Sequence, residues 1–578
     1  MSLRNLTTVW GENLTDKPLQ EYPRPQFERK SYVNLNGLWD YAFRATDTVP
    51  TSYDGKILVP FSPESALSGV NRQLKPTEYL FYRTFFTLAK GFVKDVVLLN
   101  FGAVDSICDV YVNGVHLCHH EGGYNAFTVD VTAALKSQDN ELVVKVRDLT
   151  DTSYYTAGKQ STHRGGMWYT PQSGIWQTVW LESVPAQYVK SIRVTPNVDN
   201  ATVTVVADCS FDEPFTAVVT DGGKDVVKGD GVGSVTLAFP DGKFTFWSPE
   251  NPHLYGLKII SRRDQVESYF GMRKFSVETV GGFKRLMLNN KPYFHNGLLD
   301  QGYYSDGLYT APSDEAMVYD VATMKDLGFN MLRKHIKVEP MRWYYHCDRL
   351  GMIVWQDMPS GGSRQNKFTT LYLPFIGVNS IDDSKYGKFS RSDEAGRDMF
   401  KRELTEMMAQ LYNCVSIATW VIFNEGWGQF DANKMTDYAK TLDQTRVIDQ
   451  ASGWHDQGGG DVKSLHVYFK KVRLPRDANR AVCLTEFGGY SFKDGEHSFN
   501  PDGTYSYKKF ATLDDFNEGV KRLYERDVIA QIDKGLCAAV YTQVSDVEDE
   551  VNGLLTYDRR VLKIDADMMR EINSKIKL

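Results

Sequence analysis

The chain has 578 residues, which is too long for a single hydrophobic core and indicates two to four domains. Its 42% hydrophobic and 24% charged residues are typical of a soluble globular protein. The net charge is −7, and the basic residues are spread along the chain without forming a block. The composition therefore gives no support to nucleic acid or an anionic membrane as a partner. The high aromatic content, 13%, suits dense β packing or stacking surfaces for flat ligands such as sugar rings, and packing is the commoner reason.

The cysteines and the N-terminus bear on the compartment. The seven cysteines are scattered, odd in number and without C-x-x-C spacing, which favours buried thiols in a reducing compartment over disulfides or a zinc site. The sequence lacks a signal-peptide pattern and any run of about 18 apolar residues. We therefore expect a cytoplasmic protein without a membrane partner. A native leader removed before Met1 would instead make it periplasmic or secreted, and a homo-oligomer stays an open alternative.

Residues 1–278 predict two all-β domains. In residues 1–185, short β-branched runs and the Asn-Gly hairpin signal of "VNGV" favour a sandwich of jelly-roll type. Residues 186–278 repeat this pattern on a smaller scale, with about seven strands in about ninety residues. That rhythm predicts an immunoglobulin-like β-sandwich, although a Cys…Trp…Cys signature is missing.

From residue 279 to residue 578, short apolar strands alternate with segments of helical period, such as 313–328 and 396–413. Eight strands with mostly helical connections over about 300 residues predict a (β/α)₈ TIM barrel. The candidate strands are 293–301, 329–336, 351–358, 417–425, 445–452, 464–469, 481–488 and 538–546.

Two of these strands end in a glutamate. The fourth ends in "VIFNEGWG" with Glu425, and the seventh ends in "LTEFGGY" with Glu486. The carboxyl ends of barrel strands form the active site, and glycoside hydrolysis needs a pair of carboxyl groups with divided roles. Alternatively, each glutamate caps a following helix. Two such residues at one rim, each beside glycines and aromatics, favour catalysis.

These two segments resemble the acid/base and nucleophile segments of family-2 glycoside hydrolases, the relatives of β-galactosidase, β-glucuronidase and β-mannosidase. The resemblance covers nearly the whole chain in the family's order of domains. The further matching segments are 22–43, 59–65, 81–86, 110–114, 120–132, 174–182, 246–255, 269–275, 328–337 and 343–358.

The resemblance implies roles for five residues. Glu425 would be the general acid/base and Glu486 the nucleophile, with net retention of configuration. Asn424 would bind the sugar 2-hydroxyl, where hydrogen bonds strengthen in the transition state. Arg333 would keep the nucleophile ionised, because a nearby guanidinium lowers a carboxylate pKa. Tyr468 would lie near the nucleophile.

Two histidines are further substrate-binding candidates. His335 lies two residues after Arg333, whereas the galactosidase-like pattern has a histidine three residues after the arginine, so the role of His335 stays open. His466 ends the sixth strand. The plain alternative for both is that a strand-end histidine satisfies a backbone carbonyl.

Aromatic and acidic residues at other strand ends complete the candidates. Trp454, Trp427 and Tyr541 are expected to form an aromatic wall for a sugar. Asp300 and Asp357 end the first and third strands, where they would bind hydroxyls or support the catalytic residues.

The resemblance implies an exo-acting retaining β-glycosidase that acts on an oligosaccharide or glycoconjugate through a covalent glycosyl-enzyme, without a cofactor or metal. Relatives that cleave glucuronides carry an Asn-x-Lys motif near the end of the barrel. Here Gly and Leu follow Asn552, which disfavours a uronate unless Arg559 or Lys563 substitutes. We therefore favour a β-galactoside. The alternatives are a β-glucuronide or another β-glycoside, transglycosylation as the main activity, and a non-catalytic carbohydrate-binding protein.

The connection after the third strand, residues 359–396, is unusually long. Connections of this length are commonly functional or disordered. We predict that it overhangs the pocket and shapes the aglycone site.

Overall fold

The computed structural model describes residues 3–578. The first part of the chain is a sandwich of two antiparallel sheets. Its strands are β1 (Tyr32–Asn34), β2 (Gly37–Arg44), β3 (Gly55–Val59), β4 (Tyr79–Phe86), β5 (Val96–Phe101), β6 (Val104–Asp105), β7 (Ile107–Val112), β8 (Val115–Glu121), β9 (Phe127–Asp130), β10 (Asn140–Arg147), β11 (Gly174–Ile175) and β12 (Val179–Val184).

The sheets have the orders β1-β12-β5-β9 and β3-β2-β4-β10-β7-β8, and β6 pairs with β11 in a separate ribbon. Alternate residues of β7, namely Cys108, Val110 and Val112, are buried between the sheets, as the two-residue period of a strand requires. This sandwich agrees with the predicted jelly-roll type.

The second part is a smaller sandwich whose main strands number the predicted seven. Its sheets have the orders β13-β14-β17 and β16-β15-β20-β21, and a three-stranded sheet, β22-β23-β24, then leads into the barrel. The strands of this part are β13 (Val189–Asn197), β14 (Thr202–Cys209), β15 (Phe215–Asp221), β16 (Lys224–Gly231), β17 (Ser234–Ala238), β18 (Trp247–Ser248), β19 (Asn251–Pro252), β20 (Tyr255–Ile260), β21 (Gln265–Phe270), β22 (Phe275–Val280), β23 (Phe283–Leu288) and β24 (Lys291–Pro292).

The third part is a TIM-like barrel of eight parallel strands in the order β29-β28-β27-β26-β25-β34-β31-β30. All eight overlap the predicted strands. They are β25 (His295–Asp300), β26 (Met331–Lys334), β27 (Ile353–Asp357), β28 (Ile417–Asn424), β29 (Val447–Ser452), β30 (Val462–Val467), β31 (Ala481–Gly488) and β34 (Leu536–Thr542), and a small ribbon contains β32 (Tyr490–Phe492) and β33 (Lys508–Phe510).

Helices cover the outside of the barrel. They are α1 (Asp314–Asp326), α2 (Met341–Leu350), α4 (Glu394–Leu411), α5 (Ala432–Leu442), α6 (Leu513–Tyr524), α7 (Ala530–Ile532) and α8 (Ala566–Ser574), whereas α3 (Leu373–Phe375) is a single turn within the connection after β27. The predicted helical segments correspond to α1 and α4. Each begins at a side-chain cap, because Ser313 accepts from the amide of Ala316 and Asp393 from that of Gly396.

The barrel strands are buried on both faces. Every residue of β28 and of β31 is buried, as expected for parallel strands enclosed by helices. All seven cysteines are free thiols, in agreement with the prediction of no disulfide framework. Within residues 3–578, no helix combines the length and the apolar character needed to cross a bilayer.

Two long segments lie over the carboxyl-terminal face of the barrel. The first is the loop between β10 and β11, residues 148–173, which we call the β10–β11 loop. The second is the connection 359–396, whose residue Thr369 accepts a hydrogen bond at 3.0 Å from a ring nitrogen of His455, just after β29. Phe389 accepts from the amide of Gly428, just after β28. The connection thus lies on the face where it was predicted.

Candidate active site

Glu425 and Glu486 face one another at the mouth of the barrel. Glu425 follows β28, and its backbone adopts the left-handed conformation, with φ of 52°. One carboxylate oxygen of each glutamate and one ring nitrogen of His466 all lie within 4.8 Å of one another. Carboxyl groups of retaining glycosidases are about 5–5.5 Å apart and those of inverting enzymes about 6.5–9.5 Å. One oxygen of each carboxylate thus lies within 4.8 Å of the other, which is compatible with the retaining arrangement.

The turn after β28 depends on glycine. Gly426 also has a positive φ, and a Cβ there would come within 2.6 Å of the His455 ring. Only glycine fits this close approach without displacing His455. The short loop therefore fixes Glu425 at the pocket rim, where its amide donates to the carbonyl of Ser452 at 2.9 Å.

The two carboxylates have different surroundings. The Glu486 side chain is 6% exposed, whereas the Glu425 side chain is 26% exposed. Tyr468 donates its hydroxyl to Oε2 of Glu486 at 2.7 Å, and Arg333 donates to Oε1 at 3.2 Å. Burial by itself would raise the pKa of Glu486, but the positive charges of His466 and Arg333 outweigh it and lower the pKa to about 2. Glu486 is therefore an ionised carboxylate at neutral pH.

Arg333 links several of the predicted residues. It is fully buried, and it makes two hydrogen bonds of 3.0 Å to Asp357. Its Nη2 also donates to Oδ1 of Asn424 at 2.8 Å. Because the Asn424 oxygen is occupied, its amide NH₂ is the group left to face a ligand. Arg333 thus positions Asn424 and Glu486 together, with Asp357 balancing its charge.

Both predicted histidines belong to this cluster. Nδ1 of His466 lies 2.8 Å from Oε1 of Glu425 and 3.5 Å from Oε2 of Glu486. Nδ1 of His335 lies 2.9 Å from Oδ2 of Asp357, and burial lowers the pKa of His335 below its ordinary value. The spacing of His335 relative to Arg333 therefore does not remove it from the site.

Aromatic side chains line the rim. The Trp454 ring makes a T-shaped contact with His466, with the ring centroids 5.5 Å apart. Tyr468 stacks on Tyr507, with centroids 3.7 Å apart and planes 5° apart. Trp427 contacts Trp168 of the β10–β11 loop at 5.1 Å. Trp454 and Trp427 therefore lie beside the catalytic residues, and their role as an aromatic wall for a sugar stays a prediction.

Tyr541 corrects that expectation. Its ring packs on Phe487 and on Tyr524 of helix α6, and it is fully buried. Successive strand residues point to opposite faces, so Tyr541 faces the helices while its neighbour Thr542 faces the pocket and contacts the Tyr468 hydroxyl at 2.9 Å. Tyr541 does not line the sugar site.

Asp300 is a second correction. Its side chain is 2% exposed and accepts from Nζ of the buried Lys334 at 2.7 Å and from the amide of Gly302 at 2.9 Å. A charged group that is buried and ion-paired in this way holds the loop after β25 in place and is not available to a ligand.

The residues that were named as substitutes for a uronate-binding lysine are also occupied. Arg559 makes two hydrogen bonds to the buried carboxylate of Asp320, at 3.2 and 3.0 Å. Nζ of Lys563 donates to Asp546 at 2.6 Å and to two backbone carbonyls. Neither is left to bind a substrate carboxylate.

The structure adds residues that were not identified from the sequence. Trp168 comes from the β10–β11 loop, far from the catalytic segments along the chain, and Tyr507 directly precedes β33. Asp449, in the middle of β29, lies inside the barrel, where burial raises its pKa to about 6 although the charge of Arg333 opposes the shift. An acidic residue directly after Val447 and Ile448 in a predicted barrel strand was the available signal for Asp449. Nothing in the local sequence marks Tyr507 or Trp168.

Among the described residues, the atoms of Glu425, His466 and Glu486 are close enough to hold a metal ion. Two of these groups already hydrogen-bond to each other, since His466 contacts Glu425 at 2.8 Å. The arrangement meets the needs of carboxylate chemistry with protein groups alone.

Sequence comparison identifies two matching regions. Residues 280–475 match "Glycosyl hydrolases family 2, TIM barrel domain", and residues 62–195 match "Glycosyl hydrolase 2 galactose-binding domain-like". Together they cover more than half of the chain.

Individual proteins agree with this assignment. A putative beta-glucuronidase of Formosa agariphila is 25% identical over 70% of this chain and 49% of its own length. A beta-galactosidase of Leuconostoc mesenteroides is 25% identical over 63% of this chain and 34% of its own length. The chain thus spans half or less of these two curated relatives.

A solved beta-D-glucuronidase from Dictyoglomus thermophilum shares the fold, with a TM-score of 0.75 and 18% identity over 96% of this chain and 98% of that one. The regional matches, the order of the three parts and the carboxylate pair lead to one assignment. The chain belongs to glycoside hydrolase family 2.

Proposed function

We propose that this protein is an exo-acting retaining β-glycosidase that releases a terminal β-linked sugar from an oligosaccharide or glycoconjugate. The observation that carries the proposal is the pair Glu425 and Glu486, with carboxylate oxygens within 4.8 Å of each other. Membership in family 2 supports the same chemistry.

The unequal surroundings assign the roles. Glu486 is buried, ionised and held by Arg333 and Tyr468, which suits a nucleophile whose lone pair must point at the anomeric carbon. Glu425 is more exposed, which suits a group that protonates a leaving oxygen and then activates water. This division matches general acid/base catalysis by Glu425 and covalent catalysis by Glu486.

The reaction takes two displacements. In the first, Glu486 attacks the anomeric carbon while Glu425 donates its proton to the glycosidic oxygen, so the bond to the aglycone breaks and a glycosyl ester forms. In the second, Glu425 removes a proton from water, which attacks the same carbon and releases Glu486 as a carboxylate. The Asn424 amide is placed to donate to the sugar 2-hydroxyl in both transition states.

Exo action is supported by the cover over the barrel. The β10–β11 loop and the connection 359–396 both contact the carboxyl-terminal face, and they contact each other where the amides of Ala157 and Gly158 donate to the carbonyl of Ser360. A pocket enclosed from two sides accommodates the end of a glycan more readily than its middle. The connection would then shape the aglycone site beside Glu425.

Two glycone classes are supported by different observations. A neutral β-galactoside fits the lack of a lysine two residues after Asn552 and the occupied state of Arg559 and Lys563. A hexuronide fits the names of the Formosa agariphila relative and of the Dictyoglomus thermophilum structure.

An initial-rate panel of p-nitrophenyl glycosides tests the proposal, with β-galactoside, β-glucoside, β-mannoside, β-xyloside, α-L-arabinoside and β-glucuronide as substrates. The wild type is compared with Glu425→Gln and Glu486→Gln. We expect turnover of at least one β-glycoside and a loss of several orders of magnitude in Glu486→Gln. Retention of configuration is checked by NMR of the first-formed sugar.

A non-catalytic carbohydrate-binding protein is the competing function. It predicts no turnover that depends on either glutamate, whereas sugar binding would persist in both variants. Inversion of the anomeric centre, or full activity of Glu486→Gln, would also contradict the proposed mechanism.

A further inference from the structure

The β10–β11 loop carries a lysine to the barrel mouth on a firmly held backbone. The amides of Ala157 and Gly158 donate to the Ser360 carbonyl at 2.9 and 3.0 Å. A Cβ on Gly158 would lie 3.0 Å from the carbonyl oxygen of Ile336, the residue after His335, so the loop touches the end of β26 directly. The residue that follows Gly158 is Lys159.

The far end of the same loop is anchored as well. Arg164 donates to Glu548 at 2.7 Å and to Asp549 at 2.8 Å, and the Tyr169 hydroxyl donates to Glu550. These acceptors follow β34, so the loop bridges the ends of strands on opposite flanks of β25. Lys159 therefore projects from a backbone that is fixed on both sides.

The Lys159 side chain lies beside Tyr169, on the side of the pocket that contains His335. The next side chain, Gln160, turns back into the jelly-roll sandwich, where it donates to Asp105 at 3.0 Å and to the Tyr124 hydroxyl at 3.3 Å. Nζ of Lys159 lies 5.7 Å from the centre of the Tyr169 ring. Burial lowers the pKa of His335, and the charge of Lys159 acts on it in the same direction, as expected for a cation at that side of the pocket.

Lys159 has no counter-ion. Within residues 3–578, its ammonium group makes neither a hydrogen bond nor an ion pair, and its only close partner is the face of Tyr169. Four other cations around the site are occupied: Arg333 by Asp357, Asn424 and Glu486, Arg164 by Glu548 and Asp549, Arg559 by Asp320, and Lys563 by Asp546. Lys159 carries no such partner, so its ammonium group can still bind a ligand.

We propose that Lys159 binds an anionic group on the glycone, so that the substrates of this site are acidic β-glycosides. The inference rests on the proposed β-glycosidase function. The carboxylate of a hexuronic acid and a sulfate ester on a hexose both supply the required negative oxygens. A lysine ammonium offers three donors to such a group, and charge-assisted hydrogen bonds are stronger than neutral ones.

The test compares paired substrates that differ only in charge. They are the p-nitrophenyl β-glucoside with the β-glucuronide, the β-galactoside with the β-galacturonide, and the β-galactoside with its 3- and 6-sulfate esters. The proteins are the wild type, Lys159→Met and Lys159→Arg. Lys90→Met is the control, because Lys90 is an exposed lysine of the same sandwich that lies outside the two segments over the barrel mouth.

We expect the wild type to have a higher kcat/KM for one acidic substrate than for its neutral partner. Lys159→Met should lower kcat/KM for that acidic substrate roughly 10- to 150-fold, the range for a hydrogen bond to a charged group. The variant should change the neutral partner less than threefold. Lys159→Arg should recover part of the loss, and Lys90→Met should match the wild type. The preferred acidic substrate distinguishes the carboxylate from the sulfate.

Three results would overturn the inference: a wild type that prefers the neutral partners, a Lys159→Met variant that slows both members of a pair equally, or an unchanged acid preference in that variant. If no glycoside is hydrolysed, the β-glycosidase proposal fails, and calorimetry with D-glucuronate, D-galacturonate and D-galactose 6-sulfate decides the role of Lys159 separately. Tighter binding of one acid than of the neutral sugar, lost in Lys159→Met, supports the role. Equal binding rejects it.

Discussion

Tyr468→Phe removes a hydroxyl that donates a hydrogen bond to the proposed nucleophile Glu486, while the packing of the aromatic ring is preserved. The hydroxyl donates to Oε2 of Glu486 at 2.7 Å, and burial raises the pKa of Tyr468 well above its usual range, so it acts as a donor. The ring remains stacked on Tyr507, at 3.7 Å between centroids, and Arg333 still holds the other oxygen of Glu486.

The effect should depend on the step. When the glycosyl-enzyme breaks down, negative charge returns to Glu486, and the Tyr468 hydrogen bond stabilises it. A hydrogen bond to a charged group contributes about 1.5–3 kcal/mol. Since each 1.36 kcal/mol is a factor of ten in rate, deglycosylation should slow roughly 10- to 150-fold. In the first step the carboxylate loses charge, so kcat/KM should fall less than kcat.

Stopped-flow kinetics with a dinitrophenyl glycoside of the preferred sugar measures this directly. Tyr468→Phe should show a burst of released dinitrophenol followed by slow turnover, as a glycosyl-enzyme accumulates. Tyr507→Phe is the matched control, because it removes the hydroxyl of the stacked partner and should show no such burst. Equal losses in kcat and kcat/KM without a burst, or the same kinetics in both variants, would refute the assignment of Tyr468.

Two further predictions concern stability. Arg559→Met leaves the carboxylate of Asp320 buried without its partner, which should destabilise the fold by about 3–5 kcal/mol. The variant should keep kcat within threefold of the wild type. A normal melting temperature, or a large loss of kcat, would contradict a structural role for Arg559. Glu486 has a pKa in the folded state below its ordinary value, so its contribution to stability is complete above that ordinary value and is lost as the pH falls towards 2. Between pH 5.5 and pH 3, the melting temperature should therefore fall further in the wild type than in Glu486→Gln, and parallel curves would show that Glu486 contributes nothing.

The catalytic pair could be predicted because its position follows from local sequence. Glu425 and Glu486 each end a continuous apolar run, and the carboxyl ends of parallel strands meet at one rim of a barrel. The same reasoning failed for Tyr541, since strands buried on both faces give no alternation from which to read the inward side. Asp300 failed for another reason: its ion pair with Lys334 joins two strands and leaves no mark in either segment.

The role of Lys159 could not be predicted from local sequence patterns. Its loop belongs by sequence to the jelly-roll sandwich, and its relevance to the pocket arises only from contacts with Ser360, Ile336 and the segment after β34. Pattern reading assigns residues to elements within a domain. It does not predict which loop of one domain docks on the mouth of another.

Because the β10–β11 loop docks on the barrel, the jelly-roll sandwich and the barrel both contribute residues to one catalytic pocket. A barrel freed of the preceding sandwich would keep both glutamates and their arginine, but it would lose Lys159, Trp168 and the tether at Ser360. If the protein is heated, we therefore expect activity on the acidic substrate to be lost when the sandwich unfolds, even while the barrel is still folded. The temperature of inactivation would report the stability of the first domain, and a limited-proteolysis cut within residues 148–173 would lower turnover of the acidic substrate while every barrel residue stays intact.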